Sequence, residues 1–198
     1  MKRRLVPRSA ELMSQQDTVL LVIDIQEKLI GKIENAKRLV WNVRRLLDGA
    51  GELGLKILAT EQYPKGLGPM LSELAEGIPQ IPSKMMFSCR GCPETIEQIA
   101  GCGAHKVLLC GIETHVCVQQ TAFDLMASGY RVYLAADAVG SRFRMDHELA
   151  LQRMESSGVT VTTTEAALFE WCEVAGTPEF KRISRIVREP SPTSFADD

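Results

Sequence analysis

Residues 18–23, Thr-Val-Leu-Leu-Val-Ile, form an apolar run that is ended abruptly by Asp24. A strand with one wet face alternates apolar and polar side chains. A continuous run of this length, rich in β-branched residues, is the pattern of a strand covered on both faces. Lys106-Val-Leu-Leu-Cys-Gly111 repeats the pattern, and Lys56–Thr60, Gln80–Met85, Arg131–Ala136 and Val159–Val161 supply shorter strand candidates. Pro82 argues against a central place for the third of these.

Helical patterns separate the strands. Leu39, Val40, Val43, Leu46 and Leu47 recur at three- and four-residue steps between Asn35 and Ala50. Pro93 opens a second helix in which Ile96 and Ile99 share a face, and helices are expected over 70–75, 114–128, 145–157 and 164–171, the last capped by Thr164. Tyr63 to Pro69 reads as a loop. Strand–helix alternation of this kind predicts a three-layer α/β/α sandwich around a mostly parallel six-stranded sheet with right-handed crossovers. The 198 residues suit one core. We divide them into a flexible arm (1–16), the domain (17–176), a basic helical extension (177–190) carrying Lys181, Arg182, Arg185 and Arg188, and a flexible tail (191–198).

Charge and cysteine usage narrow the function. A formal net charge of −2 gives no broad attraction for nucleic acid or an anionic membrane, and neither is expected as a partner. No apolar run is long enough to span a bilayer. The start, MKRRLVPRSAELMSQQ, has a basic head without the apolar core of a signal peptide. The expected location is the cytoplasm, with a mitochondrial address the secondary reading because Pro7 interrupts a possible transit helix. The six cysteines do not imply staples in a chain of this size. Cys89-x-x-Cys92 has a metal or redox spacing but no second pair and no histidine cluster, so neither metal nor cofactor is expected.

In open α/β sheets the chemistry gathers beyond the carboxyl ends of the strands. Asp24 ends the first strand, Lys84 lies in the third strand region, and Cys117 follows the fourth within the first turn or so of a helix. Each alone has an ordinary reading: a capping aspartate, a solvated lysine, a core cysteine. Together they offer a nucleophile, a proton acceptor and a positive charge that can stabilise a thiolate, with a helix N-terminus acting in the same sense. Backbone N–H groups near that helix start could stabilise an oxyanion.

Ile23-Asp24-Ile-Gln26, Lys84 with Phe87-Ser88, and Gly111-Ile-Glu-Thr-His-Val-Cys117-Val, in that order, resemble the isochorismatase-like cysteine hydrolases over roughly residues 17–171. The resemblance implies an Asp24–Lys84–Cys117 triad, a sheet of order 3-2-1-4-5-6, a cis peptide between Ile112 and Glu113, and the backbone N–H groups of Glu113 and Cys117 as oxyanion donors. It also implies homo-oligomers, dimers or larger. Nicotinamidase-type members carry an Asp-x-His metal motif after the second strand. This chain has Thr60-Glu-Gln-Tyr63 there and no histidine before His105. The Glu-Gln-x-Pro-x-Gly-Leu-Gly stretch is similar to the metal-free branch of isochorismatase-domain-containing proteins. True isochorismatases lack the nucleophilic cysteine, so Cys117 argues against a literal isochorismatase reaction.

The implied function is hydrolysis of a small non-peptide substrate, best a C–N amide bond, through a cysteine thioester. The alternative is a catalytically weak or inactive member that serves as a binding or scaffold protein. A nuclease lacks a metal–carboxylate set, and a redox protein would centre on Cys89 and Cys92. Gln26, Glu61, Gln62, Tyr63, Phe87 and Ser88 are the pocket candidates near strand ends. His115 lies two residues from Cys117, a spacing that points it elsewhere on a helix, and His147 reads as surface-exposed or interfacial.

Overall fold

A computed structural model describes residues 6–192. The strands β1 (Thr18–Ile23), β2 (Lys56–Gln62), β3 (Ser83–Lys84), β4 (Lys106–Ile112), β5 (Arg131–Gly140) and β6 (Thr160–Thr162) form one sheet of order β3-β2-β1-β4-β5-β6. Every pairing is parallel. The reversal of strand order falls between β1 and β4, the two strands that are buried throughout.

The double burial read in the sequence has a direct structural origin. Leu20 and Val22 of β1, with Leu108, Cys110 and Ile112 of β4, point into one apolar core, shared with α2 (Ala36–Leu53), α8 (Thr164–Cys172) and α9 (Pro178–Val187). Val19, Leu21, Ile23, Val107 and Leu109 point into the other, shared with α5 (Pro93–Gly101), α6 (Gln119–Ala127) and α7 (Arg144–Ser156). Three one-turn helices, α1 (Glu27–Ile30), α3 (Pro64–Leu67) and α4 (Ser72–Ala75), lie in the connections after β1 and β2.

Several elements differ from the sequence expectation. The third strand shrinks to two residues on the sheet edge, beyond Pro82, whose missing N–H cannot join the ladder. Tyr63–Pro69 contains α3 rather than only loop. Thr163, not Thr164, caps α8 by accepting from the Ala166 N–H, while Thr164 bonds Asp137 through both its N–H and its hydroxyl. β5 runs four residues further than expected, to Gly140. The expected helix over 114–128 is split: Thr114–Val118 is a π-turn, and regular α-helix begins at Gln119.

Within the segment assigned to a flexible arm, residues 8–13 lie against the amino ends of the strands. The buried Lys106 ammonium donates to Leu12 O and to Asp17, and Tyr133 donates to Glu11 O. Met13 is buried, and its N–H donates to Glu170. The expected basic extension forms α9, whose Ile183 and Ile186 belong to the first core. Residues 193–198 of the expected tail and 1–5 of the arm fall outside the described residues.

Candidate active site

Asp24 follows β1 with a positive φ of 55°, and its N–H donates to Thr60 O at 3.1 Å. The side chain is therefore turned back over the carboxyl end of the sheet, where it is fully buried. An isolated carboxylate there would be costly. Its partners are close: the Lys84 ammonium donates to Oδ2 at 2.6 Å and the Thr60 hydroxyl to Oδ1 at 2.9 Å.

Lys84 is equally enclosed. Its three ammonium protons have three acceptors: Asp24, Gln62 Oε1 at 2.9 Å and Phe87 O at 2.7 Å. Burial works against the charged ammonium, but the negative partners, Asp24 first among them, outweigh it and hold the lysine pKa above its ordinary value.

Cys117 sits in the π-turn with 6% of its surface exposed, close enough to Asp24 and Lys84 to feel both charges. Here the structure differs from the expectation of a stabilised thiolate. Burial, followed by the negative charge of Asp24, pushes the thiol strongly up, and Lys84 opposes them without prevailing. The resting group is a thiol beside a carboxylate, an arrangement in which a proton can pass from one to the other.

The approach of β4 to β1 sets this geometry. Gly111 has φ 125°, and a Cβ there would lie 2.1 Å from Ile23 O. Only glycine permits the strands to close in this way immediately before the turn that carries Cys117. The Ile112–Glu113 peptide is cis. The turn is then held by the end of β5 and the start of α7. The Glu113 carboxylate accepts from the Arg142 N–H and guanidinium at 2.9 and 3.0 Å, Thr114 Oγ1 lies 3.0 Å from His147 Nδ1, and His115 Nδ1 lies 3.0 Å from Ser141 Oγ. His147 is thus half-buried rather than a plain surface residue, and burial lowers its pKa.

The pocket candidates separate into two groups. Gln26 is buried and ties loops together: its amide donates to Gln62 O and Gly68 O and accepts from the Gln62 N–H. Gln62 fixes Lys84 and donates to Met85 O; Glu61 accepts from the Met70 N–H; Ser88 caps a short 3₁₀ turn. These four hold the walls rather than present free side chains. Tyr63 and Phe87 are exposed apolar groups.

Sequence reasoning missed Thr60 and Cys89. Cys89 is buried, with Sγ 3.5 Å from Thr60 Oγ1, and its thiol is pushed up to about 11 by burial and by Asp24. Thr60 sits in a strand-like run, and only the β1–β2 register, which sets Ile23 beside Thr60, reveals that its hydroxyl meets the Asp24 carboxylate. A cleft of about 600 Å³, lined by Arg38, Asp137, Ser141, Arg144 and His147 among others, flanks the turn on the β5 side and is not lined by Asp24, Lys84 or Cys117.

The same chain is recognisable among known proteins. The isochorismatase domain model matches residues 18–166. Isochorismatase domain-containing protein 2 of Xenopus laevis is 37% identical across 92% of this chain and 89% of its own. Protein 2A of Mus musculus is 39% identical across 90% and 86%. A solved structure described as the MAR1 ribonuclease of Caenorhabditis elegans superposes with a TM-score of 0.85 at 35% identity, covering 92% of this chain and 95% of that one. With the sheet order, the buried strands and the strand-end residues in place, this chain belongs to the isochorismatase family.

Proposed function

We propose that this hydrolase-family member cleaves a small non-peptide substrate, best a C–N amide, by nucleophilic attack of Cys117. The observation that carries the reading is the buried Lys84–Asp24 hydrogen bond, with Cys117 close enough to feel both charges, at the mouth of the β1–β4 switch point. Asp24 takes the thiol proton as sulfur attacks the carbonyl carbon. Lys84 holds the carboxylate in place, and the Glu113 and Cys117 N–H groups receive the developing oxyanion. The proton on Asp24 passes to the departing amine, leaving a thioester. Water, deprotonated by Asp24, then adds to the thioester and releases the acid and the thiol. An oxyanion donor of this kind contributes about 3 kcal/mol to the barrier difference.

The test is the alkylation rate of Cys117 across pH, resolved by peptide mass, in the native and Asp24→Asn proteins, alongside turnover of small neutral amides by the native and Cys117→Ala proteins. The expected results are Asp24-dependent alkylation and loss of turnover without Cys117. Full turnover in Cys117→Ala overturns the reading; a Cys117 that reacts like a free thiol, in both proteins and without turnover, favours the binding or scaffold alternative.

The ribonuclease description of the C. elegans neighbour supports a second reading, cleavage of RNA. Incubation of the chain with single-stranded RNA over a salt series tests it, because a phosphate-bound substrate makes activity steeply salt-dependent. Cleavage retained in Cys117→Ala would place that activity outside the triad.

A further inference from the structure

The loop that carries Lys84 is apolar on its outside. Met85, Met86 and Phe87 follow the lysine directly and are 70%, 53% and 52% exposed. Tyr63, whose N–H donates to Lys84 O, is exposed beside them. Single apolar residues on a surface are ordinary, whereas three in a row with a fourth next to them mark a contact site. Two of the four are seated rather than loose. The Tyr63 ring lies across Gly66 and the Met86 side chain across Gly91, and neither glycine has room for a Cβ.

The backbone of the same stretch faces the other way. Phe87 O accepts from the Lys84 ammonium, and Met85 O accepts from the Gln62 amide. The loop is thus wrapped around the buried Lys84–Asp24 pair with these carbonyls inward and its apolar side chains outward. The polar side chains near it are already engaged: Gln26 and Glu61 by backbone N–H groups, Gln62 by Lys84, and Ser88 by the turn it caps. Apart from the Tyr63 hydroxyl, these four side chains offer an approaching molecule only apolar surface.

We infer that Tyr63, Met85, Met86 and Phe87 form an apolar subsite beside the triad, and that the compound attacked at Cys117 carries an uncharged aryl or branched alkyl body next to its reactive carbonyl. This rests on the function proposed above and adds a substrate class to it. A carboxylate on that body would lose hydration without gaining a charged partner from the four side chains. An apolar body gains by leaving water and by packing on aromatic rings and thioethers. Methionine is flexible enough to fill irregular gaps, so the subsite selects by polarity more than by outline.

The experiment compares three alkylating reagents on the full chain: iodoacetamide, its N-phenyl derivative and iodoacetate. The rate constant of each at Cys117, resolved by fragment mass, is divided by its rate constant with free cysteine. That division removes the intrinsic reactivity of the reagent, and comparing reagents at one sulfur removes the activation of Cys117. The N-phenyl reagent is expected to be favoured over iodoacetamide by about tenfold or more, and iodoacetate not to be favoured. Met86→Ser with Phe87→Ser should lower the preference to about threefold or less. Val174→Ser, beside the Arg8–Glu173 ion pair at the amino end of the sheet, should leave it intact. Circular dichroism checks the fold of each variant. No phenyl preference in the native chain, a preference that survives the double variant, or a preference for iodoacetate would each overturn the subsite. A Cys117 that no reagent labels is out of reach of any substrate, which overturns the subsite and the hydrolysis together. Cys117-dependent amide turnover without a phenyl preference strikes the subsite alone; a phenyl preference without turnover strikes the amide reading and leaves the subsite standing.

Discussion

Asp24 and Lys84 are each tolerable in the interior only because of the other. Replacing Lys84 with Met keeps the length of the side chain but leaves a buried carboxylate without its cation, at an expected cost of about 3–5 kcal/mol in denaturant unfolding. Adding Asp24→Asn should recover part of that loss, because the double-mutant cycle removes the orphaned charge. Thr60→Val deletes the hydroxyl that donates to Asp24 Oδ1 and should cost about 1–3 kcal/mol by the same measurement. At this scale the sequence marked Asp24, Lys84 and Cys117 by strand end and motif, and in the structure the three are buried close together. It was silent on Thr60 and Cys89, whose contacts with Asp24 and with each other span 36 and 29 residues of chain. Gln26, Glu61 and Gln62 lie near the site, but their polar groups are engaged by the protein itself, and a sequence does not show which amide is consumed by a neighbouring backbone.

The secondary-structure elements tell a similar story. β1 and β4 were legible because burial on both faces leaves an unbroken apolar run, and α2 because its stripe is regular. β3 was not, since two residues of edge strand carry too little pattern, and the π-turn was invisible because its side chains have the composition of any helix start. Gly111 is the residue on which the β1–β4 junction depends. Gly111→Ala places a methyl group against Ile23 O and forces a non-glycine residue to φ 125°. The expected outcome is loss of soluble protein, or a melting temperature depressed by many degrees, measured by thermal unfolding. The same substitution at Gly51, inside α2 with nothing within 4 Å of the added carbon, should be neutral or stabilising by up to about 1 kcal/mol.

For the molecule as a whole, the buried thiols set an alkaline limit. Cys89, Cys110 and Cys117 all have folded-state pKa values raised, chiefly by burial. Unfolded cysteines ionise near pH ~8.5, so above that value the unfolded chain sheds protons that the folded chain keeps. The contribution of each thiol is fully present below about pH 8.5 and is lost as pH rises towards its folded value. With three such groups the stability should fall by as much as about 4 kcal/mol per pH unit above about pH 9, and Cys110→Ala should reduce that slope by about a third, read from urea unfolding at a series of pH values. The sheet order follows from the family resemblance and is seen in full, whereas the packing of residues 8–13 beneath the sheet was illegible, because those residues have the composition of a solvated arm. Lys84 carries one more implication. Every proton of its ammonium is already committed to the protein, so Lys84 itself offers no docking point for a substrate carboxylate. Neutral compounds should therefore be chosen over carboxylate-bearing analogues of the same size, and their Michaelis constants should hold steady as ionic strength rises.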